Sequence, residues 1–200
     1  NYMISRDSYG DWCVPPESLE LIHAKDSLLN TDGELIASSY YYYFLGLMQK
    51  FAKISNNNQD INEYSALAAN VKQAFNAKFY NASKKYYANN SITSNLLPLY
   101  FGLADGADKE AVFNNIYTKI RIEKNMHIST GVIGTQWLMR SLTKFQHPDI
   151  AFTLASNKTY PSWGYMAEDD SQPRFFAYLS LFTFAMLMLV TADNLVQMFL

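Results

Sequence analysis

A single cysteine, Cys13, occurs in 200 residues. That excludes an internal disulfide framework and any metal site built from several thiolates, and it leaves the redox compartment unread. Charge is also sparse: Asp, Glu, Lys and Arg make up 17% of the chain, against about 25% in ordinary soluble domains. With 49% hydrophobic and 16% aromatic residues, intrinsic disorder is excluded and a large buried surface is expected. A net charge of −2 supplies no field that would gather a polyanion, so nucleic acid is not expected as a partner, nor is an anionic membrane. The start, Asn1-Tyr2-Met3-Ile4-Ser5-Arg6-Asp7, shows neither an initiator Met nor a charged-then-apolar leader, which implies a natural N-terminus further upstream.

Compact chemical signatures are missing too. There is no H-E-x-x-H, C-x-x-C pair, G-x-S-x-G elbow, phosphate-binding G-x-x-x-x-G-K-[ST] or G-x-G-x-x-G, which removes support for metalloprotease, hydrolase-fold and nucleotide-binding chemistry. His23, His127 and His147 lack ligand spacing and are read as hydrogen-bonded structural residues. No metal and no cofactor are expected. Glu168-Asp169-Asp170 lacks the spaced oxygens of a calcium loop and reads as a solvated turn. Gly131-Val132-Ile133-Gly134 is apolar at its centre and not basic at its flanks, so close helix packing explains it better than a nucleic-acid clamp.

What is present is helical periodicity. The first thirty residues, with Gly10, Pro15-Pro16 and Gly33, read as an ordered loop holding one short helix from Glu17 to Lys25. Ile36, Tyr40, Phe44, Met48 and Phe51 recur at helical spacing and predict a helix from Glu34 to about Ser55. Asp60 caps a second, with Ile61, Tyr64, Leu67, Val71, Phe75 and Phe79 as its buried stripe. Lys84 to Asn90 suits an extended edge segment. A third helix is expected from Ser94 to Leu103, with Pro98 in its first turn, and a fourth from Asp108 to Ile122 with Val112, Phe113, Ile116, Tyr117 and Ile120 inward. Gly131–Phe145 and Pro148–Ser156 make a further pair. Three αα-hairpins fit an all-α helical toroid, and equally a solenoid or irregular bundle.

Two loops have the composition of a sugar site. In Tyr9-Gly10-Asp11-Trp12-Cys13-Val14-Pro15-Pro16-Glu17, Trp12 can offer a flat apolar face to sugar C–H groups while Asp11 accepts hydroxyl hydrogen bonds. The competing reading makes Trp12 core and Asp11 a turn cap. Asn157 to Met166 repeats the mixture of aromatic, Pro and Gly around Trp163.

These strings, together with Glu34 to Tyr43, His127 to Arg140 and Tyr160-Pro161-Ser162-Trp163-Gly164-Tyr165-Met166, resemble the catalytic domain of bacterial α-L-rhamnosidases of glycoside hydrolase family 78, over about residues 5 to 167. The resemblance implies an (α/α)6 barrel of six hairpins, of which this chain holds part. It implies hydrolysis of a terminal α-L-rhamnosyl linkage with inversion, a rhamnose-containing glycan or glycoside as partner, and a periplasmic or secreted location. It makes Asp11, Trp12 and Trp163 substrate-binding residues. In the family the general acid lies in a D-E-R-x-G-W type motif upstream of G-D-W, and the general base in T-T-x-W-E soon after Y-P-S-W-G. Here Ser171 to Ser180 stand at the second place and no Glu follows Glu168, so neither catalytic carboxylate is expected in this chain, which would be inactive alone.

Residues 1–167 are accordingly read as partial barrel and 168–200 as a divergent apolar tail. From Phe175 to Val190 the tail reads FFAYLSLFTFAMLMLV, uncharged until Asp193. A junction or frame shift in the gene, a buried helix and a membrane span all account for it. A non-catalytic carbohydrate-binding or scaffold protein is the alternative to a hydrolase fragment.

Overall fold

Asp32 starts the first helix of the computed structural model, which describes residues 2–7, 9–16, 30–167 and 171–191. The carboxylate of Asp32 accepts the Glu34 N–H at 2.8 Å and caps α1, Gly33–Ile54. Asn56 turns the chain in the left-handed region at φ 55°, and α2, Asn58–Phe79, runs back along α1. Its cap is Asn57, whose side-chain oxygen accepts the Asp60 N–H at 3.2 Å. The sequence expectation of an Asp60 cap is thus corrected by three residues. Asp60 sits instead in the first turn, where a negative charge complements the exposed N–H groups. An ion pair of 2.6 Å between Lys78 and Glu34 closes the other end of the hairpin.

A two-residue β-ribbon follows, Tyr80–Asn81 (β1) paired antiparallel with Tyr86–Tyr87 (β2). Only that part of the expected extended segment pairs. Helix α3, Ile92–Phe101, is capped by Ser91, which accepts the Ser94 N–H at 3.0 Å. Because α3 starts at Ile92, Pro98 lies in its interior and not in its first turn. The helix stops within a turn of it: Gly102 adopts φ 89°, and the Pro98 carbonyl accepts N–H groups from Gly102, Leu103 and Ala104. Helix α4, Lys109–Thr118, continues into a π-helical turn, Lys119–Glu123, together spanning the expected element. Helices α5, Val132–Lys144, and α6, Pro148–Ser156, form the third hairpin, followed by short α7, Trp163–Ala167. The expected helix at 17–25 lies outside the described residues.

Each hairpin packs within itself, and α1, α3 and α5 also pack side by side as an inner row. Helix α3 is central, with every residue from Ile92 to Leu99 buried. The second half of the expected α2 stripe is buried, at Val71, Phe75 and Phe79, whereas Ile61, Tyr64 and Leu67 are half-buried. Aromatic rings lock the inner row together: Trp137 of α5 lies 5.0 Å from Phe101 and 4.9 Å from Tyr100 of α3, and its indole N–H donates to the Tyr40 hydroxyl of α1 at 2.8 Å. Burying such side chains contributes on the order of 1.5–3 kcal/mol each.

The α1 stripe behaves differently. Ile36 is buried, but Phe44, Met48 and Phe51 are 54%, 42% and 60% exposed, so the outer half of that stripe is an open flank of the helical row. Helix α8, Gln172–Val190, makes no comparable packing contact, and every side chain from Pro173 to Val190 is exposed.

Candidate active-site cleft

Helix α5 begins at a glycine, and Gly131 brings no side chain to cap its first N–H groups. The missing acceptor comes from far away in the chain. Asp11, only 1% exposed, accepts the Gly131 N–H at 2.9 Å on one carboxylate oxygen and the Ile133 and Gly134 N–H groups at 2.9 and 3.2 Å on the other. The Thr93 hydroxyl of α3 donates to the same carboxylate. A negative charge here faces the positive end of α5, and charge-assisted bonds of this kind are the strong ones. Neither Gly131 nor Gly134 has room for a Cβ: the first abuts the Trp12 carbonyl and the Asp11 carboxylate, the second the Thr93 hydroxyl. The close-packing reading of Gly131 to Gly134 therefore holds, with the Asp11 loop as the near neighbour of Gly131 and helix α3, through Thr93, as that of Gly134.

This arrangement fixes the loop that follows. The Trp12 carbonyl accepts the Val132 N–H at 3.0 Å, Cys13 takes φ 59°, and the Trp12 side chain is left 55% exposed. Asp11 was expected to meet sugar hydroxyls directly. Its buried oxygens are instead engaged by N–H groups and a hydroxyl, so its geometry is that of a positioning residue that presents Trp12.

The second loop is tied to the same region by His127. Its Nε2 lies 2.8 Å from the Thr159 hydroxyl and its Nδ1 2.7 Å from the Asn125 carbonyl, while the Asn157 amide donates to the Met126 carbonyl at 3.0 Å. His147 packs its ring against Phe113 and Tyr117. Both histidines are structural here, and His23 lies outside the described residues. Ser162 accepts the Tyr165 N–H at 3.0 Å, and Trp163 emerges 48% exposed.

The two loops meet over the start of α5. Cys13 and Pro15 from the first, Thr130, Gly131, Val132, Thr135 and Gln136 around the α5 N-terminus, and Trp163 from the second line an open cleft of about 490 Å³. An apolar continuation of about 220 Å³ lies between Pro15, Pro16, Ile128 and Tyr160 to Met166. Trp163 faces both spaces. Trp12 stands one residue from the lining, and its indole is not part of it. Thr135 and Gln136 add polar groups that were not singled out as site residues, although both lie in the string His127 to Arg140 that carries the resemblance. Among the described residues no Asp or Glu lines the larger cleft, and no cluster of three His, Cys, Asp or Glu forms a metal site. The acidic run 168–170 lies outside the described residues.

The chain resembles known proteins in two ways. It is 30% identical over 174 residues to an α-L-rhamnosidase of Formosa agariphila, covering 82% of this chain and 17% of that protein. Among solved structures, the α-L-rhamnosidase from Dictyoglumus thermophilum superposes with a TM-score of 0.73 at 33% identity, over 84% of this chain and 18% of that one. The Streptomyces avermitilis α-L-rhamnosidase complexed with L-rhamnose gives 0.73 at 25% identity, over 86% and 15%. The chain thus spans about 17% of the length of the curated rhamnosidase just named.

A separate similarity is to a different class. NADH-quinone oxidoreductase subunit L of Rhodobacter capsulatus is 49% identical over 81 residues, covering 36% of this chain and 11% of that protein. NADH-ubiquinone oxidoreductase chain 5 of Marchantia polymorpha is 67% identical over 39 residues, covering 20% of this chain and 6% of that protein. The family model that matches residues 1–172 is the bacterial α-L-rhamnosidase six-hairpin glycosidase domain. With three hairpins around an inner helical row and that match over most of its length, the chain belongs to the bacterial α-L-rhamnosidase six-hairpin glycosidase domain family.

Proposed function

We propose that this chain is part of the catalytic barrel of an inverting glycoside hydrolase that removes terminal α-L-rhamnose from glycans or glycosides, and that it is inactive by itself. The observation that carries the reading is the shared cleft: two loops and the α5 N-terminus converge so that Trp163 lines it and Trp12 stands exposed beside it. Rhamnose, a 6-deoxy sugar, has an apolar side that an indole face can cover, while Thr135 and Gln136 supply hydrogen-bonding groups at the same wall.

Inversion requires one carboxylic acid to protonate the leaving oxygen and a second carboxylate, roughly 6.5–9.5 Å from it, to activate water on the opposite face. Among the described residues this wall holds no such pair. In this reading it contributes binding and orientation, and the acids come from parts of the enzyme outside residues 1–167. We read residues 168–200 as a divergent apolar tail. The lack of carboxylates among the described lining residues favours, as second reading, a non-catalytic carbohydrate-binding protein.

Assay of the full-length parent on an aryl α-L-rhamnoside separates the two. Turnover by the parent, none by the 200-residue chain, and a KM about fivefold higher in the parent carrying Trp163→Ala are expected, since an aromatic contact contributes about 1 kcal/mol. A parent that binds L-rhamnose without hydrolysing the glycoside supports the second reading, and one that does neither overturns both.

A further inference from the structure

Residues 173–190 lie outside the stretch matched by the rhamnosidase family, yet they are folded as a regular helix. We propose that α8 is a lipid-embedded, membrane-spanning helix. Three observations carry this.

Length and composition come first. Pro173–Val190 is 18 residues of helix long and apolar enough to cross a bilayer, about 27 Å at 1.5 Å per residue against a hydrocarbon core of about 30 Å. Its charges stand outside it or at its very start, with Arg174 at one end and Asp193 beyond the other.

Apolar residues also face every direction. A helix laid on the barrel or on a partner's groove needs one polar side for water; here the run Phe175-Phe176, Leu179, Leu181-Phe182 and Phe184 passes round the whole circumference, and all of it is exposed. Within hydrocarbon, hydroxyls must find partners inside the helix. The Thr183 hydroxyl does, donating to the Leu179 carbonyl at 2.8 Å.

The low net charge, which argues against electrostatic attraction to a membrane surface, has no bearing on insertion driven by apolar burial.

Flotation of the full chain with phosphatidylcholine vesicles tests the proposal. The chain is expected to float, to stay with the vesicles after alkaline carbonate extraction, and to lose at least tenfold of that fraction in the Leu181→Lys, Leu187→Lys double variant. In the floated fraction of a Thr183→Cys variant, maleimide should label position 183 at least tenfold more slowly than the exposed native Cys13. Failure to float, release by carbonate, unchanged flotation of the double variant, or equal labelling of the two thiols would each overturn it, pointing instead to burial against protein or to surface adsorption.

Discussion

Asp11 is the residue on which the cleft wall depends. Removing its carboxylate leaves the first N–H groups of α5 and the Thr93 hydroxyl without their acceptor in a buried place, and hydrogen bonds to a charged group contribute about 1.5–3 kcal/mol each. Urea unfolding of Asp11→Ala should therefore show a loss of about 3 kcal/mol or more, with Asp11→Asn, which keeps one acceptor oxygen, falling between it and the parent chain. A loss below about 1 kcal/mol in Asp11→Ala would remove the capping role. A second residue-scale expectation concerns pH. The Lys85 ammonium, 2.8 Å from Asp108, holds that carboxyl below the ordinary carboxylate range. A depressed folded value stabilises above the unfolded value and is lost as pH falls through the folded one. Melting curves should show Lys85→Met destabilised at pH 7 and the difference closing as pH drops below about 4; a gap that persists in acid would contradict the pair's role.

At the scale of elements, α3 and α5 touch where Gly134 meets Thr93. Gly134→Ala forces those helices apart, and overpacking of this kind costs about 1–3 kcal/mol, despite alanine's better helix propensity; a stabilised variant in thermal melts would refute the contact. Helix positions were legible in the sequence because the apolar spacing of 3.6 is local, as Val71, Phe75 and Phe79 show. Periodicity marks an apolar face without naming what covers it, which is why Phe44, Met48 and Phe51 read as core and stand exposed. Asn57 and Asp60 are both competent caps, and propensity alone does not choose between them. The capping of α5 by Asp11 had no local signal, since donor and acceptor are more than a hundred residues apart. The aromatic composition of the two loops was visible; their convergence with Thr135 and Gln136 depends on tertiary packing.

For the molecule as a whole, α8 buries none of its described side chains on the hairpins. A chain ending at Ala167 should then unfold at the same temperature as the full chain while remaining far more soluble, because a large exposed apolar surface goes with the tail. A drop of several degrees would show that the tail supports the barrel hairpins.

The reach of Asp11 also sets a timetable. Its partners at Gly131, Ile133 and Gly134 are 120 to 123 residues downstream, and bringing together ends so far apart carries a loop-closure cost that local helix formation does not. Asp11 has no α5 N–H to bind until the third hairpin is synthesised and folded. The loop carrying Trp12 is therefore among the last parts to settle, and the cleft wall completes late, after the helices that hold it.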